Sequence, residues 1–372
     1  MLGLYLHIPF CSSICNYCNF NRGLYDEALK TRYVAALRQE VAAAPPGLRA
    51  DTIFFGGGTP SLLEPAEVGS IIATVRDRFD LAAGAEITLE TNPETVDRDT
   101  LERFREAGVN RISFGVQSFQ DVELKRLGRI HSADRARAAV REARAAGFDN
   151  VSLDLMMWLP GQSVEGWLGN VDALVEARPD HASLYLLELY PNAPLKEEMA
   201  RAGWSLAPED DAAEMYLRAM ERLERAGLDQ YEISNVARPG MVSRHNLKYW
   251  TDGEWLAFGC GAHSTRGGVR WKNVSGTEDY IERVTAGGNL VTERRELSAN
   301  DRLEEALFTG LRLTDGLDIE TTGRRYGTDV WERFGPALEP FLDKEWLILE
   351  GPRLRLTREG MLMANEVMAV FV

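Results

Sequence analysis

The sequence predicts an α/β protein: a partial (β/α)6 barrel of the TIM type, then a small β-containing region, then a winged-helix-like C-terminal domain. Short apolar segments alternate with longer amphipathic segments through the first two thirds of the chain. That alternation is typical of a parallel sheet covered by helices. The final segment starts with a helical pattern and ends in a hairpin pattern around Gly351 and Pro352.

The barrel is predicted from six strand–helix units in chain order. Strands are expected at 3–8, 52–55, 86–91, 111–115, 151–155 and 183–189, where apolar residues cluster. Helical periodicity fills the intervals at 25–43, 65–79, 97–107, 133–146, 164–177 and 209–226. Six units indicate a partial barrel rather than a closed eight-stranded one. In such barrels the chemistry gathers at the carboxyl ends of the strands, so the residues after each strand are candidate site residues.

Three segments follow from these patterns: a barrel core at 1–230, a β-rich extension at 231–297 and a winged-helix-like domain at 298–372. The chain has 372 residues, of which 45% are hydrophobic and 27% charged, with a formal net charge of −15. Such acidity disfavours nucleic acid or an anionic membrane as the main partner. No apolar run approaches the roughly 20 residues of a membrane-spanning helix, and no basic leader precedes the first strand. A reducing cytoplasmic location is expected.

Three of the four cysteines, Cys11, Cys15 and Cys18, lie in one CxxxCxxC cluster after the first strand. Three thiolates on a short loop can each hold one iron of a four-iron, four-sulfur (4Fe-4S) cluster. The fourth iron then stays open to a small chelator such as S-adenosylmethionine. A zinc site completed by His7 is the alternative, while a disulfide would leave one of the three cysteines unpaired.

Polar or glycine-rich motifs follow the later strands. The run Gly56 to Thr59 follows the second strand, where missing side chains let the backbone approach a ligand, although a tight turn is the plainer interpretation. Glu90 ends the third strand and would either meet a ribose or cap the next helix. The remaining candidates near the mouth of the barrel are Gln117, Arg129 and Asp154.

These blocks together resemble a known family. The run HIPFCxxxCxYC, followed by GGGTPS, ETNP, RISFGVQSF, LGRxH, DLM and LPGQ, is similar to the radical S-adenosylmethionine superfamily, in the branch around oxygen-independent coproporphyrinogen oxidase. The resemblance covers residues 1–162 nearly continuously. It implies that the three cysteines hold a 4Fe-4S cluster. It also implies contacts to S-adenosylmethionine from Tyr5, Gly57, Gly58, Thr59, Glu90, Gln117, Arg129 and Asp154.

Two departures from the oxidase favour its heme-chaperone relatives. Phe20 stands where the oxidase has a further cysteine, and only ten residues precede Cys11. The segment from His245 to Trp250 also matches HNxxYW, a heme-binding pattern of the chaperone subgroup. A neutral imidazole is a good axial ligand for heme iron, and flat aromatic rings suit a porphyrin. The alternative is that His245 satisfies a turn and the aromatic residues fill the core.

The resemblance therefore implies a heme chaperone that binds heme through His245 and hands it to respiratory heme proteins. The cluster and S-adenosylmethionine would act in binding, release or formation of a homodimer. A radical enzyme acting on a tetrapyrrole is the second hypothesis, since the cofactor motifs are intact. A zinc-stabilised interaction barrel is the third. Trp158, where relatives have a glycine, departs from the family beside the expected adenosine site.

Overall fold

One twisted sheet of twelve strands organises the protein. The computed structural model describes residues 1–372, and the strand order is β14-β13-β12-β11-β1-β4-β5-β6-β7-β8-β10-β9. The strands are β1 Leu2–Ile8, β2 Phe10–Cys11, β3 Gly23–Leu24, β4 Arg49–Gly57, β5 Asp80–Thr91, β6 Arg111–Gln117, β7 Val151–Met157, β8 His181–Leu186, β9 Asp229–Glu232, β10 Asn235–Ala237, β11 Trp255–Phe258, β12 His263–Arg266, β13 Val269–Asn273, β14 Val291–Glu296, β15 Leu317–Asp318, β16 Leu347–Glu350 and β17 Arg353–Leu356.

Helices connect these strands. They are α1 Glu27–Ala43, α2 Pro65–Arg78, α3 Arg98–Glu106, α4 Asp121–Arg126, α5 Ala133–Ala145, α6 Val164–Ala177, α7 Pro194–Ala202, α8 Glu209–Arg225, α9 Arg244–Trp250, α10 Thr277–Thr285, α11 Ala299–Gly310, α12 Ile319–Tyr326, α13 Val330–Asp343, α14 Arg358–Leu362 and α15 Ala364–Met368. Three short 3-10 turns lie at Pro60–Leu62, Pro93–Thr95 and Ala369–Phe371. None of the helices combines the length and apolar character needed to cross a bilayer.

The predicted α/β fold is confirmed. Strands β1, β4, β5, β6, β7 and β8 pair in parallel in that order, and each of the six predicted helices is present. The last of these strands is shorter at its end than predicted, because it stops at Leu186 rather than residue 189. Polar caps start several helices, as where the side chains of Asp26 and Asp97 accept backbone N–H groups of α1 and α3.

Alternate residues along each parallel strand face opposite sides of the sheet. In β1, Leu4 and Leu6 are fully buried under the covering helices, while Tyr5 and His7 face the concave interior, where their side chains hydrogen-bond to each other. This period-two pattern leaves an interior lined mostly by polar groups. The carboxyl ends of the parallel strands form one end of that interior, here named the barrel mouth. The opposite end is named the barrel floor.

Segment 231–297 extends the barrel sheet at both of its ends. Strand β11 pairs in parallel with β1 and makes a seventh parallel strand. Strands β12, β13 and β14 continue antiparallel from it, while β10 and β9 extend the opposite end beside β8. One edge strand, β14, is exposed along most of its length, whereas the other edge, β9, bridges to Leu313 through Glu232.

The last segment packs helices α11 to α15 with a three-stranded sheet of order β15-β17-β16. Its attachment to the barrel includes a buried ion pair, because the guanidinium of Arg312 lies 2.9 Å from the carboxylate of Glu232, which has no exposed surface. The same guanidinium stacks on the ring of Trp250, with its central carbon 4.3 Å from the ring centroid. The C-terminal segment therefore contacts α9 directly.

Candidate functional site

The three clustered cysteines lie on one loop at the barrel mouth. The loop begins where β1 ends and carries Cys11, Cys15 and Cys18, whose thiols are free and half-buried. Backbone hydrogen bonds fold it tightly, since Cys18 N donates to Cys15 O at 3.3 Å and Tyr25 N donates to Cys11 O at 2.9 Å. The predicted thiol trio is thus at the end of the sheet where barrel chemistry occurs.

A chain of polar contacts joins two of these thiols across the mouth. The hydroxyl of Thr59 lies 3.6 Å from the sulfur of Cys11 and accepts a hydrogen bond from Asn92 Nδ2 at 3.1 Å. Asn92 Oδ1 accepts from Arg129 Nη2 at 2.7 Å, and Arg129 Nη1 lies 3.5 Å from the sulfur of Cys15. Hydrogen bonds to sulfur tune iron–sulfur centres, so this arrangement suits a cluster.

The thiols suit a cluster better than the alternative zinc ion. A structural zinc ion needs four ligands that converge on one point in a tetrahedron. The cysteine loop supplies three thiols for such a site. A 4Fe-4S cluster instead takes its thiolates at separate iron corners. Cys11, Cys15 and Cys18 are the residues that would hold it, leaving one iron without a protein thiolate.

The glycine run at the end of β4 packs against the end of β1 more closely than any side chain would allow. A Cβ atom on Gly57, whose φ is 114°, would lie 2.5 Å from the ring of His7. One on Gly58 would lie 2.6 Å from the carbonyl oxygen of Phe10. The amide of Gly57 donates to Glu90 Oε2 at 3.2 Å. The run therefore does more than turn the chain, since it brings β1, β4 and β5 together at the mouth.

Two carboxyl groups face the interior just below the mouth. Burial raises the pKa of Glu90 to about 7, with a further contribution from the negative charge of Asp154. Burial likewise raises the pKa of Asp154 to about 6, opposed by hydrogen bonds from Ser183 and Ser113. Near neutral pH such groups exchange between charged and neutral forms, so they can accept or donate hydrogen bonds to a polar ligand such as a ribose.

The eight residues predicted to contact S-adenosylmethionine lie together around this cavity. A Cβ on Gly56 would lie 2.9 Å from the ring of Tyr5 and 3.1 Å from Glu90 Oε2. A Cβ on Gly115 would lie 3.2 Å from Gln117 Nε2 and 3.7 Å from Arg129 Nη2. Their contact with the cofactor stays a prediction. The residues that the structure brings together are Tyr5, Gly57, Gly58, Thr59, Glu90, Gln117, Arg129 and Asp154.

Backbone strain occurs at two of the expected mouth positions. Gln117 and Trp158 both have positive φ, at 68° and 62°, a conformation that favours glycine. This conformation would also suit the glycine that the family resemblance implies at position 158. The large side chain is accommodated because the indole N–H of Trp158 donates to the carbonyl of Ala207 at 2.9 Å. The departure at Trp158 therefore has its own hydrogen-bond partner.

The sequence analysis missed three residues of this interior. Asn92 joins Thr59 to Arg129, and only its place in the ETNP block pointed to it. Tyr185 faces the carboxyl groups from β8 and is 42% exposed, a position that strand alternation identifies. Arg111 begins β6, is 2% exposed and faces inward below Ser113. The signal in the sequence for Arg111 was an arginine at the start of an otherwise apolar predicted strand.

His245 lies at the barrel floor, far from the cysteine loop. It belongs to the short helix α9, which crosses the amino-terminal halves of β1, β4 and β5. Its Nδ1 lies 2.8 Å from Thr52 Oγ1, and its Nε2 lies 2.9 Å from the hydroxyl of Tyr249. Burial, with the nearby charge of Lys248, lowers the pKa of His245 to about 3. The imidazole is neutral, as an iron ligand must be, yet both of its nitrogens are engaged.

The other aromatic residues of HNxxYW are also packed. Tyr249 meets Trp255 edge to face, with ring centroids 4.7 Å apart, and Trp250 lies under the guanidinium of Arg312. The imidazole of His245 stacks on Phe54 at 5.1 Å. The structure therefore does not bring His245 to the cluster loop. Its role as a heme ligand stays a prediction that requires α9 to move.

Comparisons with known proteins agree with this arrangement. A family model described as the Radical SAM superfamily matches residues 5–174, and one described as the HemN C-terminal domain matches residues 297–363. The solved structure of coproporphyrinogen III oxidase (HemN) from Escherichia coli, a radical SAM enzyme, has a TM-score of 0.87 and 23% identity, covering 100% of this chain and 89% of that chain. Fold and site together define a radical SAM protein with HemN-like architecture.

Relatives that match over nearly their whole length define the protein family within this class. The heme chaperone HemW of Bacillus subtilis (strain 168) is 34% identical, covering 100% of this chain and 99% of the relative. The heme chaperone HemW of Mycobacterium tuberculosis (strain H37Rv) is 40% identical, covering 98% of this chain and 93% of the relative. The heme chaperone HemW of Escherichia coli (strain K12) is 36% identical, covering 100% of this chain and 98% of the relative. The chain therefore belongs to the HemW heme chaperone family, and the resemblance predicted from its motifs is confirmed.

Proposed function

We propose that this protein is a cytoplasmic heme chaperone that binds heme and delivers it to heme proteins of the respiratory chain. The observation that carries the proposal is similarity to heme chaperones over the whole length of the chain, joined to an HNxxYW segment. The proposed cofactors are a 4Fe-4S cluster on Cys11, Cys15 and Cys18, and S-adenosylmethionine beside it. When bound, the cluster supplies an electron to the sulfonium group of the cofactor.

The residues of the mouth have separate proposed tasks toward these cofactors. Thr59 and Arg129 direct polar hydrogens at sulfurs and stabilise their negative charge. The neutral or charged state of Glu90 and Asp154 suits them to hold hydroxyl groups. Tyr5 closes the cavity from below with its ring stacked on Phe54 at a centroid distance of 6.2 Å.

Heme is proposed to use His245 as an axial ligand after α9 moves. In the closed floor, both ring nitrogens are engaged by hydroxyl groups of Thr52 and Tyr249. Replacing a hydrogen bond of about 1 kcal/mol with a bond to iron is favourable. The low pKa of His245 keeps the imidazole unprotonated at neutral pH, so no proton has to leave.

The test is a heme titration of anaerobically purified protein, followed by transfer to an apo-form of a respiratory heme protein. His245→Ala should lose most heme binding, whereas His263→Ala, at an exposed histidine elsewhere in the sheet, should retain it. Stoichiometric heme binding that is unchanged in His245→Ala would remove the proposed ligand. Absence of heme binding by the native chain would remove the function.

A tetrapyrrole-modifying enzyme is the second candidate, favoured by the intact chain of contacts from Cys11 to Cys15. Incubation with a reductant, S-adenosylmethionine and coproporphyrinogen III would then yield a decarboxylated product. Phe20, which stands where the oxidase has a further cysteine, is 64% exposed beside the cluster loop. We expect no turnover, and product formation would favour the enzyme over the chaperone.

A further inference from the structure

Two buried polar groups at the barrel floor have no partner. Arg111 on β6 lies directly across from Thr88 on β5, and both side chains face the interior. The guanidinium is 2% exposed and the hydroxyl is fully buried, yet neither Arg111 Nε nor Thr88 Oγ1 makes a hydrogen bond. No carboxylate lies within 4.0 Å of the guanidinium. A buried unpaired charge is costly, so these groups are expected to serve a ligand.

The carboxylates on the same inner surface as Arg111 already have other partners, and that of Glu90 accepts the backbone N–H of Gly57 at 3.2 Å. Glu86 accepts the backbone N–H groups of Arg244 and His245, each at 3.0 Å. Asp154 accepts from Ser113 at 3.4 Å. The guanidinium therefore acts on its neighbours through space rather than by ion pairing. Burial and then the charge of Arg111 lower the pKa of His181.

The backbone of Arg111 lies deeper in the barrel than the proposed S-adenosylmethionine site. Arg129 contacts the backbone of Gly115 near the mouth, at 2.8 Å from its carbonyl oxygen. Arg111 lies four residues earlier on the same strand, which is about 13 Å deeper at 3.3 Å per residue. The charge of Arg111 also acts on the carboxyl groups of Glu90 and Asp154, so a ligand that contacts both Arg111 and Thr88 would lie directly below the proposed cofactor. The interior is open at its mouth end, since Tyr185, which pairs with Met156 there, is 42% exposed.

We propose that Arg111 and Thr88 form a carboxylate-binding subsite at the barrel floor, and that it receives a propionate group of heme. A guanidinium presents parallel N–H donors that match a carboxylate, and the hydroxyl adds a third donor. This inference rests on the proposed heme chaperone function and identifies how the cargo is recognised. The charge of Arg111 also acts on His245, so one end of the floor would hold iron and the other a propionate.

The test compares heme with heme dimethyl ester, which keeps the iron and ring but lacks free carboxylates. Anaerobic holo-protein should bind heme about tenfold more tightly than the ester, as expected for one buried charge-assisted contact. Arg111→Gln should bind heme and the ester equally, because its affinity for heme falls while its affinity for the ester does not change. Thr88→Val should reduce the preference partly. Arg141→Gln, at an exposed arginine of α5, should keep the full preference.

Protoporphyrin IX and its dimethyl ester repeat the comparison without iron, so the carboxylate effect is separated from iron ligation. If the native chain binds both members of each pair equally, the subsite is refuted while the chaperone function stands. If it binds none of the four, both proposals fall. Should Arg111→Gln lose its fold or its cluster, Arg111→Lys and Thr88→Val decide the question, and an undiminished heme preference in both would overturn the subsite.

Discussion

The mouth and the floor of the barrel are prepared for their ligands to different degrees. At the mouth, three free thiols are half-exposed on a loop, and Thr59 and Arg129 already point at two of them. At the floor, His245 is 1% exposed and has hydrogen bonds at both nitrogens. The comparison indicates that the groups expected to hold cofactors at the mouth are already in place. Heme bound at His245, as proposed, would instead have to displace contacts of α9, so its loading could be controlled there.

The largest expected effect is at the mouth, where removing one thiolate should abolish the cluster. Cys15→Ser should lower the iron content of anaerobically purified protein from about four atoms per chain to nearly none, because each thiolate holds a separate iron. Iron and labile sulfide analysis measures this. Cys260→Ser is the matched control, since Cys260 is fully buried and contacts Tyr33 and Thr277 instead. Loss of iron in the control as well would contradict the assignment.

The floor should open when Glu86 loses its charge. Its carboxylate accepts the backbone N–H groups at the start of α9, so Glu86→Gln should lower the free energy of unfolding by about 2 kcal/mol. It should also raise the rate of heme association, because less free energy holds α9 closed. Stopped-flow mixing with heme and chemical denaturation measure the two effects.

Glu102→Gln is the control for that variant, because Glu102 forms only an exposed ion pair with Arg98. Its stability should change by about 0.5 kcal/mol or less, and its heme association rate should not change. Equal heme association rates in Glu86→Gln and the native chain would show that closure of α9 does not limit loading of the floor.

The mouth carries a pH dependence that Glu90 should dominate. Its folded pKa of about 7 lies above the reference value of 4.5, so the folded chain holds a proton that the unfolded chain releases. The Glu90 contribution to stability is therefore complete below pH 4.5 and declines as the pH rises toward 7. Denaturation at several pH values should show a shallower decline in Glu90→Gln. Identical slopes would mean that the side chain is already ionised in the fold.

The smallest expected effect is at the outer side of the floor. Lys248 forms an ion pair of 2.7 Å with Asp51, and both side chains are largely buried. Lys248→Met keeps the apolar stem and should lower stability by about 1 kcal/mol. Heme association should become faster than in the native chain but slower than in Glu86→Gln. A slower rate than the native chain would contradict a closing role for this ion pair.

Much of the fold was predictable from local patterns, and the reasons are visible in particular elements. Strand β7 has apolar residues flanked by turn residues, and α5 repeats alanines at helical spacing, so period alone identifies each. The cysteine loop was predictable because chemistry demands three thiols close together. The pairing of β1 with β11 was not predictable, because Gly3 and Trp255 pair across segments that no local pattern connects.

The floor was predictable in residue identity but not in environment. The motif around His245 identifies a residue suited to iron, whereas its burial depends on Thr52 and Tyr249, which come from two separate elements. Arg111 was read only as the start of a strand. Its missing partner becomes visible when the register places it opposite Thr88. Features of this kind depend on packing between distant segments and have no local signal.

The edges of the large sheet bear on how the protein behaves in concentrated solution. Strand β14 carries Glu293, Arg294, Arg295 and Glu296 in succession and is largely exposed, while β9 is covered by backbone contacts with the C-terminal segment. Charged side chains discourage a second chain from adding its own strand to an open edge. The charged edge at β14 and the covered edge at β9 therefore both disfavour edge-to-edge pairing of the large sheets of two chains.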